Sequence, residues 1–571
     1  MKRDLSELVG KTYDLLVIGG GIYGACVAWE ASLRGLSVVL VEKGDFCSAT
    51  SANSLKIIHG GLRYLQHGDF SRMRQSIKER QALLKIAPHL IHPLPVLVPT
   101  YGHGLKGREA LTFALLVNDL VSYDRNHCLS DPQKHIPSGR TLSKDDVLKL
   151  VPGISDTNLT GGILFHDAQV YNSERLTLAF LHSATQIGAK IANYVEVTSF
   201  LQIRNQVSGV VAKDHLTGCK FDIQAKAVVN TSGPWVSQIS NLLHKKTSSL
   251  TIPLAKAVNI VTRPLFKHPY AVGLSGHVAH QKTEPIESQG SRLFFIAPWR
   301  GKSMVGTAYF PYEDSPDSLA VTEQEVMEFI GDINRVYPAA KLQLEDVCFV
   351  HRGLLPCANV DPKAGNVKLT KRYQLYDHCQ DGLAGLLSVV GVKYTTARNV
   401  AHKVVDWVMQ ICSQEPSQSA SSLTPLHGGE IENFNEFLRT AQKEYASILS
   451  GKAIQDLVYN YGSSYSKVLE YLDDSAAVSK SIGDELPIDS FAVLKAETRY
   501  AVNEEMAQKL TDLILRRTSL GSAERPTNQE MQICADVMGK ELGWGLKKVQ
   551  EELQAAIDFF DTNFSSCKSS L

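Results

Sequence analysis

The residues of this chain whose types and spacing could do chemistry begin with Gly19, Gly21 and Gly24 in GxGxxG order, and with Glu42, 23 residues past the first of them. Glycine at 19 permits a tight turn out of a strand, glycine at 21 lets backbone approach a pyrophosphate, and glycine at 24 lets a helix pack closely on a sheet. A helix starting there offers unpaired N–H groups and the positive end of its dipole to phosphates. An acid at 42 is placed to accept hydrogen bonds from ribose hydroxyls. Together these residues predict a dinucleotide site whose reactive end is a flavin or a nicotinamide.

Such a site needs a strand, a helix and a second strand to hold it. Leu15–Ile18 is a short apolar run before the glycines, small residues follow, and a second apolar run closes on Glu42. A Gly/Ser/Thr-rich loop runs from Gly44 to about Ser54, followed by IHGGLRYLQ (Ile58–Gln66). Apolar spacing predicts helices over 69–86 and 107–122. The dinucleotide fold is expected to resume over 162–230, with a helix over 175–188, strands over 190–197 and 227–230, and a turn at Thr231–Trp235. LFFIAPW and SMVGTAYF, joined by Arg300-Gly301-Lys302, predict a hairpin in an antiparallel sheet. Residues 383–410 read again as strand, glycine loop and helix. Gln414–Leu426, rich in Ser, Gln and Pro, predicts a linker, and helical periodicity dominates from about 430 to 564. There AVNEEMAQKLTDLILRR (Ala501–Arg517) reads as one helix, with Glu505 and Lys509 an i,i+4 pair.

At 571 residues the chain should form two or three domains. Its 44% hydrophobic and 21% charged residues are ordinary for a soluble globular protein. Lys+Arg and Asp+Glu both number 59, which argues against a nucleic-acid partner. Ten cysteines without CxxC or zinc spacing read as reduced thiols of a cytoplasmic protein, with no metal site. The first strand begins near Tyr13, leaving no room for a signal peptide. No apolar run reaches the ~20 residues of a membrane helix. The run Leu111–Val121, broken by Asn118 and Asp119, reads as a core helix rather than a membrane-surface contact.

Five blocks, in order, then choose between the cofactors. DFCSATSANSLKIIHGGLRYLQ (Asp45–Gln66), HDAQVYNSERL (His166–Leu176), VVNTSGPWV (Val228–Val236), LLSVVGVKYTTAR (Leu386–Arg398) and AETRYAVNEEMAQKLTDLILRRT (Ala496–Thr518) resemble the FAD-dependent glycerol-3-phosphate dehydrogenase family, in the D-amino-acid-oxidase-like superfamily. The resemblance implies an α/β fold: a Rossmann-like FAD-binding domain (1–70, 150–240, 350–412) with an inserted antiparallel-sheet substrate domain (71–149, 241–349). A linker (413–427) and a C-terminal all-α domain (428–571) would follow. It implies FAD as cofactor and oxidation of sn-glycerol 3-phosphate to dihydroxyacetone phosphate, with hydride to flavin N5. Electrons would pass to a quinone, from an enzyme peripheral to the inner face of the cell membrane, with a homodimer as one assembly the resemblance allows. By matching position, Arg63, Tyr64, Arg372 and Lys393 are expected at the substrate's phosphate and hydroxyl end, with His59, Arg63 and Lys393 catalytic. A dianionic phosphate suits arginine forks supported by lysine. Gly19, Gly21, Gly24, Glu42, Ser48, Thr50, Ser51, Val195, Gly233, Thr395 and Thr396 would hold FAD.

Three positions depart from the family's pattern: Leu355 and Asn53 where arginine is common, and Asn259 where a histidine stands after Pro253-Leu254. Losing one charge-assisted phosphate contact typically costs ~1.5–3 kcal/mol. They keep open a grip by Lys256 or Arg352 and a different 2-hydroxy or amino acid substrate, and they move weight as base onto His59. A silent flavin-binding assembly protein is a third reading. A nicotinamide dehydrogenase is the least favoured, having no use for the GVKYTT block.

Overall fold

A computed structural model describes residues 1–104, 107–243, 250–276, 292–361, 366–415, 417–472 and 490–562. The strand β1 (Thr12–Ile18) runs into Gly19, and α1 (Ile22–Leu33) and β2 (Val38–Val41) follow. β1 lies between β2 and the strand Lys220–Asn230, all parallel, with Lys190–Ala192 beyond β2 and Leu386–Val390 beyond Lys220–Asn230. One face of this sheet packs with α1 and the helices Ser173–Gln186 and Ala397–Ile411. The other packs with the hairpin Val195–Ile203/Gln206–Asp214. Cover on both faces is why β2 reads as an unbroken apolar run rather than an alternating one.

A second, ten-stranded and mostly antiparallel sheet forms the other half of the site. The hairpin read at residue 300 is there: Trp299 pairs with Lys302, and Arg300 and Gly301 turn the chain with φ of 50° and 73°. Two successive left-handed residues match a two-residue turn to the twist of its strands. Two strands read from sequence with the nucleotide-binding segments lie in this second sheet instead. Leu159–Val170 pairs along the whole of Ile91–Tyr101, and Val347–Asp361 pairs with Leu254–Thr262. Pairing across such separations leaves no local signal, so boundaries at 150 and 350 miss it.

Two further expectations are corrected. The segment 413–427 is tied down rather than free: Leu426 N–H donates to Ile86 O, Ser419 Oγ donates to Glu30, and Arg398 donates to the buried Ser421 hydroxyl. The helix Ser490–Glu505 stops at Met506, which has φ 56°, and the chain turns back through Leu510–Asp512 and the π-helical turn Leu513–Arg517. Glu505 therefore bonds Arg175 of the nucleotide-binding half at 2.6 Å rather than Lys509. Apolar residues are buried on both sides of this break, which preserves a helical period that no continuous helix carries. Among the described residues, no helix is long and apolar enough to cross a membrane.

Candidate active site

The dinucleotide cradle is built by close backbone approach. Gly19 has φ 104°, and a β-carbon on Gly24 would lie 1.9 Å from Gly19 O. Gly21 begins α1 without a capping side chain, and Ser51 Oγ accepts from Ile22 N–H at 3.0 Å at that helix end. The Glu42 carboxylate accepts from Gly20 N–H (2.7 Å) and Gly44 N–H (2.8 Å). Burial nonetheless raises its pKa above the usual carboxylate value. A helix end bare of a cap, glycines that a side chain would block, and an acid closing β2 fit the ADP half of FAD.

The remaining cofactor candidates divide. Ser51 reaches the helix end, but the Thr50 hydroxyl is fully engaged by Leu354, donating to its carbonyl (3.0 Å) and accepting from its N–H (3.1 Å). Thr50 thus locks the flavin loop to the second sheet. Val195 N–H donates to Glu42 O at 2.8 Å, so that amide orders the acid. Gly233, with φ 58°, opens the turn Gly233–Trp235; Trp235 and Ser48 border a cavity of about 270 Å³. Thr395 and Thr396 are both buried behind Lys393.

Two cations lie over the ring of Tyr64. Lys393 Nζ lies 4.1 Å from the centroid of its ring, and the Arg72 guanidinium 4.8 Å. Asp69 joins Arg72 (2.6 Å) to Arg372 (3.5 Å). Lys393 is pushed down to about 8, first by burial and then by the charge of Arg63. Lys393 and Arg72 therefore meet over one aromatic ring, and Arg72 and Arg372 share one carboxylate. The loop bearing Lys393 is tied to the cradle through Tyr23, whose hydroxyl donates to Lys393 O (2.9 Å) and accepts from Lys393 N–H (3.3 Å). A β-carbon on Gly391 would meet the Tyr23 ring at 2.3 Å, so only glycine allows this packing.

His59 stands at the start of the same segment, half-exposed, with Nδ1 2.9 Å from Asp167 Oδ2. Asp167 Oδ1 accepts from Gly60 N–H (2.6 Å) and from Arg80 Nη1 (3.0 Å). Burial would raise Asp167, but the hydrogen bond and charge of His59, then Arg80, outweigh it and hold the carboxyl below its usual value. An ionised carboxylate only accepts, so Nδ1 carries a hydrogen toward it. A β-carbon on Gly60 would fall 2.2 Å from Arg80 Nη1, which makes that glycine part of the arrangement.

Residues 14–398 match the family described as FAD dependent oxidoreductase, and residues 419–549 match the C-terminal domain of alpha-glycerophosphate oxidase. The chain is 32% identical to a glycerol-3-phosphate dehydrogenase of Synechocystis, over 98% of each chain. It is 31% identical to the mitochondrial glycerol-3-phosphate dehydrogenase of Homo sapiens, covering 96% of this chain and 73% of that one. This chain belongs to the FAD-dependent glycerol-3-phosphate dehydrogenase family. The fold agrees with the crystal structure of the Bacillus halodurans glycerol-3-phosphate dehydrogenase complexed with FAD, at a TM-score of 0.77 and 26% identity over 99% of this chain and 98% of that one.

Within this flavoprotein family, the chain's three departures have structural accounts. Asn259 Nδ2 donates to Asn53 O at 3.0 Å, and Asn53 Oδ1 accepts from Arg352 N–H at 3.3 Å. Asn259 Oδ1 accepts from Thr307 Oγ1 at 2.7 Å. The two asparagines stitch the flavin loop to the substrate sheet. Lys256 does not replace the missing arginine, because Glu325 takes it at 2.6 Å. Arg352 and Leu355 lie an odd number of residues apart in a regular stretch of strand, so they point to opposite faces. Leu355 shares the face of Gly353, whose missing β-carbon would meet Thr50 of the flavin loop. Three site residues escape sequence reading: Asp167, Arg80 and Arg72. Asp167 left one signal, a carboxylate inside the strand-like run ILFHDAQV, which demands a partner without naming it.

Proposed function

We propose that this chain oxidises sn-glycerol 3-phosphate at C2 to dihydroxyacetone phosphate and delivers the electrons to a quinone, working at the inner face of the cell membrane. The observation that carries the reading is the meeting of Lys393 and Arg72 over Tyr64, with the charge of Arg63 felt at Lys393 and with Arg72 and Arg372 sharing the single carboxylate of Asp69. Such a surplus of positive charge suits a phosphate dianion. Bound FAD would supply the acceptor for the C2 hydrogen and its two electrons. His59 Nε2 takes the C2 hydroxyl proton, while Asp167 fixes the ring's tautomer and steadies the positive charge it gains. Arg80 and Gly60 N–H keep Asp167 ionised and oriented. The Tyr64 ring offers its π-electrons to both Lys393 and Arg72, which lowers the cost of holding like charges close.

One observation favours a second reading. Leu355 presents an apolar side chain on the flavin-loop side where the family's pattern has arginine, and this suits a less charged 2-hydroxy acid. Anaerobic mixing of the flavin-loaded protein with a panel of small phosphates and hydroxy acids decides between them. Bleaching by glycerol 3-phosphate is expected. Bleaching by a hydroxy acid alone selects the second reading, and no bleaching by any compound leaves a flavin-binding assembly protein.

A further inference from the structure

The helix Arg108–Val121 is turned inside out. Only Leu115 among its residues is buried. Phe113, Leu116 and Leu120 are 67%, 65% and 75% exposed, and Tyr123 just beyond is 81% exposed. Their steps of three, four and three residues place them on one stripe. Asp119, which interrupts the apolar run in the sequence, points back to the protein, pairing with Arg125 at 3.0 Å and accepting from Gly139 N–H at 3.2 Å. The reading of this segment as a core helix is therefore corrected. Its inner face does belong to a core: Leu111 and Leu115 pack with Leu62 and Phe295. Leu62 precedes Arg63, and the Phe295 ring lies 5.6 Å from that of His59. One face of the helix walls the active site and the other is bare.

We propose that this stripe docks on an anionic lipid bilayer, with Phe113, Leu116, Leu120 and Tyr123 at the level of the acyl chains and the helix lying in the membrane plane. The inference rests on the reading of a lipid-soluble acceptor given under Proposed function. Charge complementarity selects the lipid. Arg108 on the helix itself, Lys78 beside the Arg74–Asp124 pair that flanks Tyr123, and Arg140 on the strand packed against the helix are all exposed, while the exposed acid of the helix, Glu109, is paired with His103 at 2.8 Å. A basic rim around an apolar stripe is the pattern of interfacial helices. A second protein copy is disfavoured by size, since four side chains cover far less than the ~800 Å² per partner of a standard interface. Docking in this pose sets the helix between the bilayer and the site, so that a quinone leaving the lipid meets the wall formed by Leu62 and Phe295.

The test is flotation of the flavin-loaded full chain with vesicles of phosphatidylcholine alone or mixed with phosphatidylglycerol. The unaltered chain is compared with the triple variant Phe113→Ser, Leu116→Ser, Leu120→Ser, none of which touches the site. The chain should float with the anionic vesicles, and the variant's partition should fall at least about tenfold. Flavin bleaching by substrate in solution should be the same for both. Failure of the unaltered chain to float, or equal flotation of the variant, overturns the proposal. A dimer that the triple variant dissolves also overturns it, by assigning the stripe to a second copy. Loss of bleaching with flotation intact would instead reject the activity and leave the docking face standing.

Discussion

Arg517 grips Asp45 with both terminal nitrogens, Nη2 to Oδ1 at 2.7 Å and Nη1 to Oδ2 at 2.9 Å, and Arg516 Nε adds a third bond at 2.5 Å. Asp45 lies three residues past Glu42, while the arginines end the π-helical turn of the C-terminal domain. The helical domain thus holds the flavin loop from behind. Burial alone would raise Asp45, but Arg517 and Arg516 outweigh it and depress its pKa. A depressed carboxylate stabilises the fold above its unfolded pKa, and that contribution is lost as pH falls through the folded value. Asp45→Asn leaves two buried guanidinium groups short of a counter-charge and should cost ~3–5 kcal/mol. Thermal unfolding followed by flavin fluorescence checks it: the cofactor should be released at lower temperature than from the parent.

Gly24→Ala should prevent flavin retention. The added methyl would sit 1.9 Å from the Gly19 carbonyl and 2.8 Å from Thr231 Oγ1, so α1 must shift away from β1. Visible absorbance of the purified variant reports it; a yellow variant with parental flavin content would contradict the cradle described here.

Binding of a phosphate substrate should weaken with rising alkalinity. Lys393 is pushed down to about 8, so it is charged below that pH and neutral above it. KM for glycerol 3-phosphate should therefore climb as pH passes about 8. Lys393→Met should raise KM at neutral pH by roughly 10–150-fold, from a charge-assisted bond of ~1.5–3 kcal/mol, and should flatten this part of the profile. Stopped-flow flavin reduction across pH separates this from changes in kcat.

His59→Asn should lower the rate of flavin reduction by ~10²–10⁴-fold with an unchanged flavin spectrum. Asp167→Asn should retain part of that rate, because His59 remains as the base while losing its orientation and its counter-charge. Equal reduction rates in His59→Asn and the parent would remove His59 as the base.

Leu355→Arg should tighten a phosphate substrate by about tenfold, restoring one charge-assisted contact on the flavin-loop side. Unchanged KM for glycerol 3-phosphate would indicate that Lys393 and its neighbouring arginines already satisfy the phosphate.

What the sequence reveals here is local. The cradle is legible because Gly19 to Glu42 form one contiguous strand–helix–strand unit whose constraints are steric. The hairpin at Arg300 and Gly301 is legible because turn chemistry depends on neighbours. Arg63, Tyr64, Arg372 and Lys393 become visible through resemblance, and of these the structure sets Lys393 over the Tyr64 ring. Asp167 and Arg80 are not visible, since their partners lie about a hundred residues away and no periodicity marks them. The Met506 break is hidden because buried apolar residues on both sides imitate a continuous helix, while the ion pair that rewards the break, Arg175 with Glu505, spans two domains.

The latch between the flavin loop and the substrate sheet closes through carboxamides, Asn259 onto Asn53. Neither group takes up or sheds a proton in water, so mild acid does not loosen it, whereas an imidazole at 259 would make the same junction answer to its surroundings. In this chain the two halves of the active site are fastened by a joint that is blind to acidity.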